Sequence, residues 1–291
     1  MPYLSRVPSP LRFTALLFAA SLTLAGGCAG RPEAPIIALP DAGAPSATSV
    51  RLAAMLPTDV LLVGEQHDAG EHHQIEQQII AELARRGLLA AVALEMSDVG
   101  LSTAKLKPSS SEEQTRRALK WDDKGWPWAA YAPAVMTAVR AEVPVLGANL
   151  PREQMAASMK DGTLDARLPG PALKAQQQAI RIGHCNLLPE TQITPMTRIQ
   201  IAKDIAMAGA IQRAAVPGKV VVLLAGNGHV DRQLGVPQHL AGDLRVRVIH
   251  LRAGPADSPL PPDVLDSVWT TPPLPTTDYC ADLKQQLAPK P

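Results

Sequence analysis

The chain has 291 residues, of which 46% are hydrophobic and 19% are charged. Its 28 basic and 27 acidic side chains nearly cancel and no basic patch stands out, which argues against a nucleic-acid partner. Beyond the N-terminal segment, no apolar run is long enough to cross a bilayer.

The N-terminal segment has the pattern of an export signal. Two arginines precede the apolar run 14–25, and two glycines separate that run from Cys28. We predict a lipoprotein signal peptide over residues 1–27, lipidation and membrane anchoring at Cys28, and a flexible Ala/Pro/Gly-rich tether over 28–50. The alternative is an ordinary cleaved signal with an incidental cysteine. Because Ala29 replaces the aspartate that often retains lipoproteins at the inner membrane, we expect the outer membrane, facing the periplasm.

Residues 51–291 are predicted to form one domain in which five short apolar runs alternate with helical patterns. The runs occupy residues 60–63, 91–94, 143–146, 220–224 and 245–249. The helical patterns cover residues 72–86, 131–142 and 197–214. Runs without polar alternation suit strands covered on both faces, so we predict an α/β fold with a mostly parallel central sheet flanked by helices. The last run alternates arginine with aliphatic residues and predicts an edge strand.

Polar residues stand where four of the apolar runs end. They are Glu65 and His67, then Glu95, then Asn149, and finally Asn227 and His229. Ligands of parallel α/β sheets bind beyond the carboxyl ends of the strands, so we predict that these side chains form one site. A surface turn or a capped strand end is the alternative for each. The repeated Gly-x-x-His spacing at 64–67 and 226–229 favours function, because glycine permits close approach and histidine supplies a metal ligand, a proton acceptor or a hydrogen-bond donor.

Three further polar residues lie on predicted helices. His72 shares a helix face with Ile79 and Leu83, so it is either a buried core histidine or a ligand contact. His73 points elsewhere and is expected to face solvent. Asp204 lies on a buried helix line and needs a partner there, so it either orients a site histidine or forms a structural cap or ion pair.

The aromatic residues that follow the signal segment are concentrated. Trp121, Trp126, Trp128 and Tyr131 lie within eleven residues. Such a segment packs on something flat or forms an interface, and a small satellite core under a loop is the alternative. Tyr131 also opens a predicted helix and carries an ionisable oxygen.

Cys185 and Cys280 remain after the signal segment. In an oxidising compartment a disulfide between them is the default expectation, with two free thiols as the alternative. The disulfide would tie the C-terminal tail to the domain.

Seven groups of residues occur here in the order that they have in a known family. They are Val63-Gly-Glu-Gln-His-Asp68 with His72-His73, Leu94-Glu-Met96, Tyr131-x-Pro133, Ala148-Asn149-x-Pro151-Arg152, Gly183-His-Cys185 with Leu188-Pro189, Gln200 with Asp204, Met207 and Ala208, and Gly226-Asn-Gly-His229-Val230. Behind a lipoprotein signal, this order resembles the haem-binding, iron-regulated lipoproteins called ChaN, within the ChaN/TIKI/erythromycin-esterase-like superfamily. The resemblance runs from about residue 58 to Cys280.

The resemblance implies an α/β fold, haem as the cofactor, and a homodimer that acts in iron or haem uptake with an outer-membrane receptor. The implied haem site comprises Glu65, His67, His72, Glu95, Tyr131, Asn149, Arg152, Asn227 and His229. Tyr131 would ligate the haem iron in preference to Tyr279, because phenolate is a hard donor suited to ferric iron. His67 or His229 would hydrogen-bond the phenolate. Arg152 would hold a propionate.

Two alternatives come from other classes of protein. Related branches of the superfamily are hydrolases, and a metal-dependent hydrolase would use Glu65 or His67 to activate water and His229 to bind a divalent metal or steady the oxyanion. A lipoprotein with a vestigial site would act only as an interaction surface.

Overall fold

The computed structural model describes residues 46–255 and 264–287. The predicted signal peptide, Cys28 and most of the predicted tether lie outside these residues. The end of the tether is helical, because Ser46 caps a first helix by accepting a hydrogen bond from the Ser49 backbone N–H, 3.1 Å away. Thr48 and Leu52 of that helix are buried, so the folded domain begins before residue 51.

The centre of the domain is a six-stranded parallel sheet. Its strands are β1 (Val60–Glu65), β2 (Leu89–Asp98), β3 (Val145–Asn149), β4 (Val220–Gly226), β5 (Val246–Ala253) and β6 (Ser267–Thr271). The spatial order is β3-β2-β4-β1-β5-β6, and every neighbouring pair is parallel. The predicted α/β class with a parallel sheet is confirmed. The prediction that the run 245–249 forms an edge strand is wrong, because β6 pairs with the outer side of β5.

Helices cover both faces of this sheet. The described chain forms α1 (Ala47–Ala53), α2 (Gly70–Arg85), α3 (Glu112–Ala118), α4 (Trp128–Arg140), α5 (Arg152–Ser158), α6 (Gly170–Gly183), α7 (Glu190–Ala214), α8 (Asn227–Val230) and α9 (Tyr279–Leu287). The three predicted helices correspond to α2, α4 and α7, of which α7 begins seven residues earlier than predicted, directly after Pro189. No helix of residues 46–255 or 264–287 combines the length and apolar character that a bilayer span requires.

Alternate residues of each strand enter two separate apolar cores. Leu61, Val63 and Leu94 pack with α2 and α4 on one face, whereas Leu62 and Ala93 pack with α7 on the other. Strands covered on both faces need apolar side chains in both directions, which is why the runs lack polar alternation. Polar side chains therefore accumulate where the strands end.

The predicted disulfide is present between Cys185 and Cys280, which are 95 residues apart in sequence. Cys185 lies just beyond α6, and Cys280 is the second residue of α9. The bond therefore ties the C-terminal helix to the domain.

Candidate functional site

Glu65, His67, Glu95 and His229 meet at the carboxyl edge of the sheet, beyond its central strands. Glu65 ends β1, Glu95 lies near the end of β2, and His229 follows β4 in α8. His67 Nδ1 lies 2.6 Å from Glu65 Oε1, and His67 Nε2 lies 3.8 Å from Glu95 Oε2. His229 Nε2 lies 3.2 Å from Glu95 Oε1. The structure thus joins four of the predicted site residues in one row of alternating carboxylates and imidazoles.

His67 is the most exposed member of this row, with 39% of its side chain accessible against 8% for His229. Trp126 packs edge-on against the His67 ring, with centroids 4.8 Å apart. Burial alone would lower the pKa of His67, but its hydrogen bond with Glu65 and the charge of Glu95 raise it. The protonated form is therefore favoured, and at the surface it can donate a hydrogen bond to an anionic ligand.

His229 is enclosed by two carboxylates. Its Nδ1 lies 2.5 Å from Asp204 Oδ1, and its Nε2 faces Glu95. Burial alone would lower the pKa of His229, but the charges of Glu95 and Asp204 together raise it to about 10. Asp204 is fully buried and orients this histidine, which supports the first of its two interpretations. An imidazolium held in this way has no free lone pair for a metal ion.

Glu95 is the acceptor that the row shares. The backbone N–H of Gly226 donates to its Oε2 at 2.9 Å, and Lys203 Nζ lies 3.9 Å from its Oε1. Burial alone would raise the pKa of Glu95, but the positive charge of His229 lowers it to about 2. A side chain at Gly226 would collide with the row, because a Cβ there would lie 2.9 Å from His67 Nε2.

Tyr131 lies beneath the row and is only 1% exposed. Its hydroxyl donates to Glu65 Oε1 at 2.7 Å. Burial and the adjacent charge of Glu65 raise the pKa of Tyr131 far above its usual range. This geometry argues against the prediction that Tyr131 ligates haem iron, because a ligand would have to enter the core and displace a buried hydrogen bond.

The tryptophans around Tyr131 do not form a separate satellite core, so that interpretation is wrong. Trp128 belongs to the apolar core that packs with α2 and α4, and Trp121 and Trp126 pack against the same core. Trp121 packs against Trp128 at 4.9 Å and against Tyr131 at 5.7 Å between ring centroids. The indole N–H of Trp128 donates to Glu112 at 2.8 Å, and that of Trp121 donates to the Trp126 carbonyl at 2.8 Å. Only the edge of Trp126 that meets His67 adjoins the site.

The second phenol, Tyr279, lies at the surface beside the row. It is 56% exposed, and its hydroxyl donates to the carboxylate of Asp68, the residue after His67. The disulfide at the neighbouring Cys280 holds this part of the chain in place.

Besides Tyr131, four predicted site residues do not join the row. His72 is fully buried and accepts a hydrogen bond from the Gln66 backbone N–H, so it is a core histidine that shapes the turn after β1. Asn227 donates to the Leu251 carbonyl and ties α8 to β5. Asn149 accepts from the next backbone N–H in the chain, that of Leu150. Arg152 is exposed at the start of α5.

Sequence reasoning missed two groups of polar residues around the row. Gln200 and Lys203 approach it from α7. Gln200 lies one turn before Asp204 and is part of the family pattern, but it was given no role at the site, and Lys203 directly precedes Asp204 and had no sequence signal. His73 and Glu76 approach Glu65 from α2. The prediction that His73 faces solvent is wrong, since it is only 7% exposed. The helix packs against both the sheet and α4, which buries a wider arc than one apolar stripe indicates.

Comparison of this chain with known proteins shows the family to which it belongs. A sequence profile described as "Haem-binding uptake, Tiki superfamily, ChaN" matches residues 51–240. The chain belongs to this family. No curated protein matches the sequence significantly.

One solved structure is similar over most of the domain. It is described as "Cofacial heme binding to ChaN of Campylobacter jejuni", is 25% identical, covers 75% of this chain and 89% of its own, and superposes with a TM-score of 0.61. The type III effector HopBA1 (16% identity, 70% of this chain and 82% of its own, TM-score 0.43) and a protein from Bacillus cereus (14%, 70% and 68%, 0.37) align too poorly to support an argument.

Proposed function

We propose that this protein binds haem at an exposed edge formed by His67, Trp126 and Tyr279. Membership of a haem-binding family supports the ligand. The observation that carries the location is the exposure of His67, since the side chains of Glu65, Glu95 and His229 are all buried. The hydrolase alternative gains no support, because His229 is enclosed by Asp204 and Glu95 and the comparisons favour haem.

The side chains at this edge fit the chemistry of haem. Ferric iron favours an anionic oxygen donor, and Tyr279 offers a phenol at the surface. The hydrogen bond to Asp68 raises the pKa of Tyr279, so iron would have to displace the phenolic proton. His67 would donate to an oxygen of the bound ligand, and the partly exposed ring of Trp126, which packs at 75° to the His67 ring, supplies apolar surface beside it.

We further propose that two copies of the chain act together. The similar Campylobacter jejuni protein binds haem cofacially. Two stacked haem groups need a protein surface on each outer side, and an exposed edge shared by two copies supplies both.

The setting that we propose is a lipoprotein of the cell envelope, anchored through Cys28, that takes part in haem or iron uptake with an outer-membrane receptor. The sequence of residues 1–28 supports export, and the family is described as one of haem uptake. Metabolic labelling with a fatty acid tests the anchor, and Cys28→Ser should abolish the label.

Hemin titration of the purified full chain tests the haem site. We expect a saturable shift of the Soret band with the wild-type protein. Tyr279→Phe and His67→Gln should each weaken binding at least about tenfold, a loss of about 1.4 kcal/mol. Sedimentation should show hemin-dependent dimers that both variants lose.

The matched control is Tyr131→Phe, which removes the same hydroxyl from a buried tyrosine. It should keep the wild-type affinity and ferric spectrum. If Tyr131→Phe abolishes binding while Tyr279→Phe leaves it unchanged, the ligand lies in the core and the proposed location is wrong.

A further inference from the structure

A second cluster of polar atoms lies beneath the row, between the end of β1 and the first turns of α2. It consists of Glu65, His73 and Glu76, which each offer one ligand atom within 4.8 Å of the other two. All three residues are buried, with exposed fractions of 2%, 7% and 0%. This cluster is closed to solvent, unlike the edge at His67.

Four side-chain atoms of these residues have no hydrogen-bond partner in the described structure. They are Glu65 Oε2, His73 Nε2 and both carboxyl oxygens of Glu76. The other oxygen of Glu65 is occupied by Tyr131 and His67. Buried polar atoms are nearly always satisfied, and an unpaired buried carboxylate is costly. Unpaired atoms on three side chains this close together are explained either by a cation held between them or by a proton that the two carboxyl groups share.

The separation of two of these atoms suits a metal ion better than a direct contact. His73 Nε2 lies 3.4 Å from Glu65 Oε2, beyond the usual hydrogen-bond range of about 2.7 to 3.2 Å. Two ligands bound tetrahedrally at about 2.1 Å lie about 3.4 Å apart. A divalent cation would also neutralise two carboxylates that burial otherwise makes unfavourable as charges.

We infer that Glu65, His73 and Glu76 bind a divalent transition-metal cation inside the domain. One imidazole and two carboxylates form the type of ligand set that holds Mn²⁺, Fe²⁺ or Zn²⁺. The ion would bridge β1 to α2 and fix the Glu65 carboxylate, whose other oxygen orients His67. This site differs from the proposed haem edge in its ligand residues, in its burial and in the group that it would bind.

Metal analysis of the full chain tests this inference. The protein is produced in media supplemented with Mn²⁺, Fe²⁺ or Zn²⁺, so that a closed site can be loaded as the chain folds, and its metal content is measured after desalting. We expect one ion per wild-type chain and a higher Tm than that of chelator-treated protein. Glu76→Gln should reduce metal affinity at least about 100-fold, because even the loss of an outer-sphere partner costs about 10- to 100-fold.

Glu71→Gln is the matched control, since Glu71 lies on the same helix and is exposed. It should retain the full metal content. Glu76→Gln should fold, because glutamine nearly matches the size of glutamate, and burial and the charge of Glu65 raise the pKa of Glu76 well above its usual range. The inference is overturned if folded wild-type protein holds no stoichiometric metal, or if Glu76→Gln retains as much metal as Glu71→Gln. In that case the two carboxyl groups share a proton. Hemin binding is measured separately, and its outcome neither supports nor contradicts the metal site.

Discussion

The two Gly-x-x-His loops of this protein have the same spacing but different surroundings. Residues 64–67 belong to the end of β1 and residues 226–229 to the end of β4, and these strands are neighbours in which Glu65 pairs with Gly226. The loops are therefore offset by one residue across the sheet. After β4 the chain enters α8 directly, which places His229 against Asp204, whereas His67 lies in a surface turn that precedes α2.

Because of this difference, His67 can contact a ligand, whereas His229 stabilises the interior of the domain. His67 has Nδ1 bonded to Glu65 and Nε2 facing Glu95 at 3.8 Å, but 39% of its side chain is exposed, so it can meet a ligand. His229 has both nitrogens facing buried carboxylates, so it serves to neutralise them. The two loops thus share the Gly-x-x-His pattern, but the pattern does not determine their contacts. The strand register and the helix that follows each loop determine what each histidine contacts.

The largest expected effect is the contrast between His229→Gln and His67→Gln in stability. Removal of one member of a buried ion pair costs about 3 to 5 kcal/mol, so we expect His229→Gln to lower the free energy of unfolding by about 3 kcal/mol. His67→Gln should cost about 1 kcal/mol, because Tyr131 still donates to Glu65. Urea unfolding followed by circular dichroism measures both. Equal losses of unfolding free energy in the two variants would contradict the different roles assigned to the two histidines.

The alkaline pH dependence of stability sharpens the same contrast. Histidine in the unfolded chain has a pKa of about 6.5, whereas His229 in the folded protein has a pKa of about 10. The stability that this histidine contributes is therefore complete below about pH 6.5 and is lost as the pH rises towards 10. Wild-type protein should lose about 4 kcal/mol of unfolding free energy between pH 6.5 and pH 10. A His229→Gln protein with the same slope over this range would contradict the assignment.

The smallest expected effects on stability are those of alanine substitutions at the first glycine of each loop. A Cβ at Gly64 would lie 2.4 Å from Asn227 Oδ1 and 3.1 Å from the Asn227 Cα, and backbone cannot yield cheaply. Gly64→Ala should therefore cost about 2 kcal/mol of unfolding free energy. Gly226→Ala meets the tip of the partly exposed His67 and should cost less than about 1 kcal/mol, while weakening hemin binding. Thermal unfolding of both variants, with hemin titration of the second, checks this order.

Much of the fold could be predicted from the sequence, because buried parallel strands leave uninterrupted apolar runs. Strand β6 was missed because Ser267-Val-Trp-Thr-Thr271 has no such run. The convergence of Glu65, Glu95 and His229 followed from the geometry of parallel sheets. The burial of Tyr131 could not be predicted in the same way, because the sequence contains no sign that its hydroxyl donates to Glu65.

Residues of α2 show the same limit. A glutamate at position 76 in a helix normally faces solvent, and only the packing of α4 over α2 shows that Glu76 is enclosed. His73 was misplaced for the same reason.

The order of the strands has a consequence for how the chain reaches its native state. Strand β4 lies between β1 and β2, although helices α3 to α7 are all made before it. Until residues 220–226 have been synthesised, β1 and β2 each lack their shared neighbour and present an open edge. Such late, long-range pairing is slow and leaves apolar strands prone to association. The nascent chain therefore depends on being kept apart from other chains until its last quarter is available.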